Sequence, residues 1–260
     1  MKRSMLTALL PAAIAGLALA SCQDDRQPTA PSSSRVADRP APWASRQGED
    51  LGFTESFLLE RCRFAAEGRN PFFVLEPGYT QLFRGTEDGV PAELTIRVLD
   101  ETEVVAGVTT RIVEERHVED GELVEVSRNF FAICAPTNTV FYFGEEVDIY
   151  EDGKIVAHSG AWRHGTDGAR AGVFMPGLPL LGARYFQEVA PGVALDRAEI
   201  VDLDATVRTP FGRFTGVLVT RETTPLEPGV VEFKTYALDV GLITDGDLLL
   251  VRAGFGGGDR

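Results

Sequence analysis

Histidine, cysteine and basic residues are scarce in this chain, and the shortage of basic residues excludes a class of partner. Lysine and arginine number 25 against 39 aspartates and glutamates, which gives a net charge of −14. A surface of this sign repels the phosphate backbone of nucleic acids and anionic lipid headgroups. We therefore expect no nucleic-acid partner, and attachment to a membrane needs something other than a basic patch.

Catalytic and metal-binding signatures are also missing. The sequence contains no G-x-S-x-G nucleophile elbow, no H-E-x-x-H zinc motif, no P-loop and no C-x-x-C pair. Met175 is the single methionine after position 21, so a methionine-rich copper-binding surface is excluded. His117 lies among glutamates and is expected at a solvated hairpin tip. We assign no catalytic residue, no metal ligand and no cofactor from the sequence.

The N-terminus has the pattern of a bacterial lipoprotein signal. Lys2 and Arg3 precede an apolar run at 6–19, which is shorter than the roughly 20 residues of a membrane-spanning helix. The following Leu-Ala-Ser-Cys resembles a lipobox, which implies a signal peptide at 1–21 and acylation of Cys22. An ordinary secretory signal with a chance cysteine is the alternative. The pattern predicts a lipid-anchored protein of the cell envelope that faces the periplasm or the exterior.

The residues after Cys22 indicate membrane sorting and a tether. Gln23 follows the cysteine, and by resemblance to the enterobacterial sorting rule it favours the outer membrane over the inner membrane. Residues 22–48 are rich in proline, serine, alanine and mixed charge, so we expect a disordered tether. Residues 49–255 are predicted to form a single β-rich domain, and the glycine-rich end at 256–260 a flexible tail.

Two cysteines, Cys62 and Cys134, remain for the domain. In an oxidising compartment two such thiols are expected to pair, although two separate buried thiols also fit the sequence. On the chain-entropy model a bond across so long a loop stabilises the fold by about 4 kcal/mol.

Alternation of apolar and polar residues with a period of two dominates the domain. Leu94, Ile96 and Val98 alternate with polar neighbours, which is the pattern of a strand with one buried face. Asp-Gly pairs at 120–121 and 152–153 suit hairpin turns between such strands. About eleven strands with short connections indicate an all-β, mainly antiparallel fold. We expect a strongly curved sheet or incomplete β-barrel, with a sandwich as the alternative.

One short helix is expected at the start of the domain. Apolar residues recur there at near-helical spacing, from Phe57 to Phe64 within the segment 53–66. The rest of the domain has no convincing helical run.

Several segments resemble a family of uncharacterised bacterial secreted proteins and lipoproteins. The motifs are Asn-Pro-Phe-Phe at 70–73, Gly-Ala-Trp at 160–162 and Leu-Glu-Pro-Gly-Val-Val-Glu at 226–232. The resemblance covers most of 70–243. It implies one exported β domain and no particular activity. Neither of the two domain cysteines lies in these motifs.

The densest group of polar side chains lies between positions 158 and 167. A serine, a histidine and an aspartate so close together suggest a hydrolase triad, but on an extended strand His158 and Ser159 point to opposite faces. His158, His164 and Asp167 form the alternative constellation, as a metal-dependent or hydrolytic centre. We favour a structural role for this cluster.

Consecutive aromatic residues point to a different kind of site. Phe141, Tyr142 and Phe143 send rings to both faces of one strand, so the strand is either covered by another layer or lines a cavity. Core packing is one interpretation and an apolar ligand pocket is the other. The residues predicted to bind such a ligand at the mouth of the pocket, with the glutamate orienting it, are Trp162, His164, Asp167, Tyr185 and Glu188.

Three functions from different classes remain open. The favoured one is a lipid-anchored module that binds an apolar or amphipathic molecule in a cavity of the sheet. The sequence supports an envelope scaffold or protein-interaction module almost as well. This second function predicts a filled core and an exposed apolar patch. A hydrolase or metal-dependent enzyme near His158, His164 and Asp167 is the third, and the missing motifs favour a non-enzymatic role.

Overall fold

The computed structural model describes residues 52–256, which belong to one compact unit. The predicted signal peptide, Cys22, the tether and residues 257–260 lie outside the described range. No helix between residues 52 and 256 has the length and hydropathy needed to span a bilayer. The strands in this range are β1 (Phe64–Ala65), β2 (Gly68–Asn70), β3 (Phe73–Leu75), β4 (Tyr79–Glu87), β5 (Val90–Val105), β6 (Val108–Glu119), β7 (Glu122–Cys134), β8 (Thr139–Glu151), β9 (Lys154–Ala157), β10 (Trp162–Arg163), β11 (Arg170–Met175), β12 (Arg184–Phe186), β13 (Glu188–Val189), β14 (Arg197–Arg208), β15 (Arg213–Thr223), β16 (Glu232–Ala237), β17 (Gly241–Asp245) and β18 (Leu248–Phe255).

Most strands belong to one antiparallel sheet that curls into a nearly closed barrel. Its order is β12-β14-β15-β16-β17-β18-β4-β5-β6-β7-β8-β11-β13. In addition β1 pairs with β7, β9 and β10 pair with β8, and β2 and β3 form a separate hairpin. The two predicted Asp-Gly turns have positive φ at both residues, 48° and 83° at 120–121 and 49° and 70° at 152–153. The expectation of an all-β fold with a strongly curved sheet is confirmed.

The segment 184–189 closes the barrel. Its first half, β12, pairs with β14, and its second half, β13, pairs with β11. Gly172 of β11 lies against the bend between the two halves, where a Cβ atom would be 2.4 Å from the carbonyl oxygen of Phe186. Only a glycine permits this approach of the two backbones.

The helix predicted within 53–66 is wrong. The segment contains a three-residue 3-10 turn at Leu59–Arg61, and this turn is the one helical element among residues 52–256. Phe57 and Phe64 instead pack edge to face on Phe141, with ring centroids 6.1 and 5.7 Å away. Their spacing therefore reflects contacts with a strand of the barrel, because tertiary packing overrides a short local pattern.

A disulfide joins this N-terminal segment to β7. The Cα atoms of Cys62 and Cys134 are 5.1 Å apart, and the bond closes a separation of 72 residues. Pairing of Phe64 with Cys134 in the β1–β7 ladder brings the two cysteines together. The predicted disulfide is confirmed, and the alternative of two separate thiols is excluded.

Buried apolar side chains form two clusters. The larger contains most of the aromatic residues, and the smaller is built around Phe83, Ile243 and Leu250. Ile96 and Leu242 pack against both clusters and also line an internal cavity. The cavity therefore adjoins both halves of the core.

Candidate functional site

A cavity of about 220 Å³ lies inside the barrel, and we call it the lumen. Within the described part of the chain, seven carboxylates and a single amine face it. These charged residues are Glu115, Glu125, Glu145, Glu188, Asp196, Glu222, Lys234 and Asp245. The sequence led us to expect an apolar pocket, whereas the lumen combines apolar and strongly acidic walls.

The strand pleat explains why polar side chains point inward. Glu125, Ser127, Asn129 and Phe131 are alternate residues of β7, and all four line the lumen. Alternate residues of a strand share one face, so the register that buries Phe131 also turns Glu125 inward. The acidic character of the lumen is thus built into the same periodicity that forms the core.

Aromatic rings form the apolar wall of the lumen. Phe131 lies 4.8 Å from Phe174 and 4.8 Å from Tyr142, and Phe73 lies 5.2 Å from Phe131, all between ring centroids. These four residues line the lumen together with its carboxylates. A molecule bound here would meet aromatic faces and negative charge at once.

Among residues 52–256, Lys234 is the one cation that lines the lumen. Its Nζ donates a hydrogen bond to Asp245 Oδ2 at 3.1 Å and lies 3.9 Å from Glu222 Oε2. Glu222 Oε1 also accepts hydrogen bonds from the Thr220 hydroxyl at 2.9 Å and from Gln187 Nε2 at 3.4 Å. Burial lowers the pKa of Lys234, but the two carboxylates outweigh burial and raise this pKa well above its usual range. Lys234 therefore stays charged and offsets the negative charge of Asp245 and Glu222 on one side of the lumen.

The negative charge of other lumen carboxylates is less well offset by positive charge. Burial raises the pKa of Glu115 and of Glu145 to about 7, although Lys234 partly offsets the effect at Glu115. Burial and the charges of Asp196 and Glu145 raise the pKa of Glu188 well above its usual range. Glu188 Oε1 accepts a hydrogen bond from the backbone nitrogen of Asp196 at 3.1 Å. A further cation in the lumen would favour the ionised form of these groups.

A second cavity, of about 530 Å³, opens beside the lumen. The two cavities share Glu125, Glu145, Asp196, Glu222 and Lys234 as lining residues. The rim of the second cavity includes Leu226, Glu227, Val230 and Glu232, which belong to the motif noted at 226–232. That motif therefore borders the approach to the lumen.

The residues predicted at a pocket mouth are divided between the lumen and a neighbouring cleft. Glu188 lines the lumen, while Trp162 and Asp167 line a separate cleft of about 280 Å³. Glu145 lines both. Trp162 is buried and its ring packs edge to face on Tyr142, with centroids 5.3 Å apart. Trp162 thus lies one aromatic layer away from the lumen.

Two of these residues line none of the cavities described above. Tyr185 is buried, and its hydroxyl has no hydrogen-bond partner within the described part of the chain. Burial raises the pKa of Tyr185, and the charge of Glu222 raises it further. His164 Nδ1 accepts a hydrogen bond from the backbone nitrogen of Ala171 at 3.1 Å, and burial lowers the pKa of His164.

The hypothesis of a centre at His158, His164 and Asp167 finds no common ligand set. Among residues 52–256 these three do not form a group whose ligand atoms lie together. His158 is exposed, and its Nδ1 lies 2.9 Å from Asp148 Oδ1. The polar cluster is therefore spread over a surface hairpin and the barrel wall.

Sequence reasoning missed most of the charged lumen residues, including Glu115, Glu145, Glu222 and Lys234. A signal was present, because Lys234 is two residues from Tyr236 and Glu222 is four residues from Leu218, both of which are buried. Charged residues that lie an even number of positions from buried residues of the same strand share their inward face, and they indicate an interior polar site.

Comparison with protein-family models, with curated proteins and with solved structures gives no match. The resemblance of residues 70–243 to a family of secreted proteins stays a prediction.

Proposed function

We propose that this protein is a lipid-anchored envelope protein whose barrel binds a small amphipathic cation, an organic amine with an aromatic or aliphatic body. The composition of the lumen carries this proposal. Of the residues that the structure describes, seven carboxylates and one lysine face the same cavity as a cluster of aromatic rings. This refines the expectation of an apolar or amphipathic ligand to one with a positive charge.

Electrostatics favour an ammonium group in the lumen. Glu115 and Glu145 both have a pKa raised to about 7, because burial opposes their ionised form. An ammonium group beside them supplies the missing positive charge and converts a desolvation cost into a charge-assisted hydrogen bond. An anionic molecule of the same shape would add to the repulsion.

The apolar wall suits the body of the same molecule. Phe73, Phe131, Phe174 and Tyr142 provide ring faces and edges within the lumen. Rings of this kind stabilise apolar groups by burial and cations through their negative faces. A volume of about 220 Å³ restricts the body to a small molecule, with the second cavity as its route of access.

Isothermal titration calorimetry of the full chain with phenethylamine tests the proposal. The neutral alcohol and the carboxylic acid of the same skeleton serve as matched probes. We expect the amine to bind, the alcohol to bind at least about tenfold more weakly, and the acid to give no heat, because only the amine forms charge-assisted contacts. Equal binding of the amine and the alcohol would contradict the proposal.

Variants of the lumen separate charge from shape. Glu145→Gln combined with Glu188→Gln keeps the volume and removes two carboxylates, so the amine should bind more weakly. Lys234→Met removes the competing cation, so the amine should bind more tightly. A change in the same direction for both variants would show that amine binding does not depend on the charge of the lumen.

Attachment through Cys22 is the second part of the proposal. It rests on the lipobox-like Leu-Ala-Ser-Cys and on a charge of −14 that disfavours direct adsorption to anionic lipid. Mass spectrometry of the N-terminal peptide should find a diacylglycerol and an acyl chain on residue 22. Cys22→Ser should move the protein from the membrane fraction to the soluble fraction, and unchanged fractionation would refute the anchor.

A role as a protein-interaction module is the second candidate function. Leu178, Leu180 and Leu181 are 76%, 60% and 67% exposed on the loop between β11 and β12. An exposed apolar patch of this kind is typical of an interaction surface. Replacing the three leucines with serine should abolish cross-linking to an envelope partner and leave amine binding unchanged.

A further inference from the structure

A second group of polar side chains lies near the ends of strands β4 and β6. It consists of Glu87, His117 and Glu119, and one ligand atom from each lies within 4.8 Å of the others. Glu87 is the last residue of β4. His117 and Glu119 are among the last three residues of β6, directly before the Asp-Gly turn at 120–121. The His117 side chain is 25% exposed, and the residue lies three positions before Asp120 of the hairpin turn.

Strand register holds the three residues on one face. Both β4 and β6 pair with β5, where Ala92 lies between Gly85 on one side and Glu119 on the other. At Gly85 a Cβ atom would be 2.2 Å from the backbone oxygen of Asp247, so the chain just before β18 packs closely there. Glu87 and His117 lie on the same face as Ala92 and are in contact across the intervening strand.

The geometry of the closest pair differs from that of a hydrogen bond. His117 Nε2 lies 3.0 Å from Glu87 Oε2. This nitrogen is shielded from solvent and makes no hydrogen bond within the described residues. In a tetrahedral zinc site, with bonds of about 2.0–2.1 Å, neighbouring ligand atoms are about 3.3 Å apart and point at the metal instead of at each other. The 3.0 Å between the nitrogen and oxygen atoms is close to this spacing, and the pair lacks hydrogen-bond alignment.

The surroundings favour a dication. A cavity of about 140 Å³ is lined by Glu87, His117, Glu115, Glu125 and Asp245 over an apolar floor of leucines. The nearby carboxylates add negative charge, and the cavity leaves space for water as a further ligand. One imidazole with two carboxylates suits zinc and related first-row metals, whereas calcium takes six to eight oxygen ligands.

We propose that Glu87, His117 and Glu119 form a binding site for a divalent first-row transition metal of the zinc type, with an open coordination position toward this cavity. None of the three ligands lines the lumen, although the nearby Glu115, Glu125 and Asp245 line both cavities. Zinc binding is therefore measured in the absence of the amine, so its outcome does not depend on whether the amine binds.

Calorimetric titration of the chelator-treated full chain with Zn²⁺ tests the proposal. We expect one ion per chain. His117→Gln should weaken binding by more than the roughly 10- to 100-fold that loss of an outer-shell partner causes, and Glu119→Gln by at least that range. The matched control is His158→Gln, because His158 also lies 2.9 Å from a carboxylate oxygen but, within residues 52–256, belongs to no group of three ligands.

A second measurement keeps the test decisive if His117→Gln does not fold. The chain has three histidines, so their imidazole NMR signals can be followed during the Zn²⁺ titration of the unmodified chain. The His117 signals should shift in a stoichiometric titration while those of His158 do not. Absence of stoichiometric binding, equal affinity of a folded His117→Gln variant, or a shift confined to the other histidines would overturn the proposal.

Discussion

Removal of the Lys234 ammonium group should lower the free energy of unfolding by an amount that follows directly from the structure. Lys234→Met keeps a side chain of similar length and deletes the ammonium that lies 3.1 Å from Asp245 and 3.9 Å from Glu222. Removing one partner of a buried ion pair costs about 3–5 kcal/mol, because the remaining charge is left buried without compensation. The Lys234 side chain keeps 25% exposure, so we expect the lower end, about 3 kcal/mol, at pH 8.

The destabilisation caused by Lys234→Met should be larger at pH 8 than at pH 5. Burial raises the pKa of Glu222, and Lys234 partly offsets this in the unmodified protein. Without the ammonium the pKa of Glu222 rises further, so the carboxylate takes up a proton as the pH falls and the uncompensated charge disappears. The loss of unfolding free energy should therefore shrink to about 1 kcal/mol at pH 5.

Urea unfolding at pH 8 and pH 5, with the disulfide intact, measures both quantities. The matched control is Arg84→Met, which deletes a cation from the exposed pair of Arg84 and Glu93, where the nitrogen and oxygen atoms are 2.8 Å apart. An exposed pair contributes about 0–1 kcal/mol, so the control should change stability little at either pH. Equal losses in the two variants, or a Lys234→Met loss that is the same at both pH values, would refute the account of the lumen as a buried charge network.

Three further predictions concern the barrel. Reduction of the disulfide should lower the free energy of unfolding by about 4 kcal/mol, since the bond closes a separation of 72 residues, and a loss below about 1 kcal/mol would contradict this. Because the folded pKa of Glu115 and of Glu145 is raised to about 7, the folded state binds more protons than the unfolded state. Thermal unfolding should accordingly show stability falling as the pH rises from about 5 to about 8, and less steeply in Glu145→Gln. Gly172→Ala should destabilise the barrel by at least about 1–3 kcal/mol, whereas Gly212→Ala, where a Cβ atom has no neighbour within 4 Å, should be tolerated.

Much of the fold was readable from the sequence, because strand periodicity and turn chemistry are local properties. The alternation around Leu94, Ile96 and Val98 corresponds to β5, and both Asp-Gly pairs adopt the positive φ that a tight hairpin needs. The compartment suggested by the N-terminus made a disulfide the natural expectation for two remaining cysteines, and the structure contains it. The helical spacing from Phe57 to Phe64 misled us, since packing on Phe141 produces the same pattern.

The candidate site was only partly predictable, because it is assembled from strands far apart in the chain. Glu188 was assigned to a ligand site from the sequence and does line the lumen, but it does so next to Glu145 and Glu222, which no local pattern connects with it. His117 was expected at a solvated hairpin tip, and only the structure shows that it contacts Glu87 of another strand. Local patterns specify which face of a strand a residue occupies and leave open which other residues share that face.

The sequence by itself thus determined the strands, their turns, the negative charge and the cysteines available for pairing. Only the tertiary structure decided that the sheet closes, through the bend at 184–189 against Gly172. Closure converts one face of the sheet into an interior, so charged residues that alternate with apolar ones along an open strand become a buried acidic cavity. Curvature and register over the whole chain, which no single segment encodes, produce this change of environment.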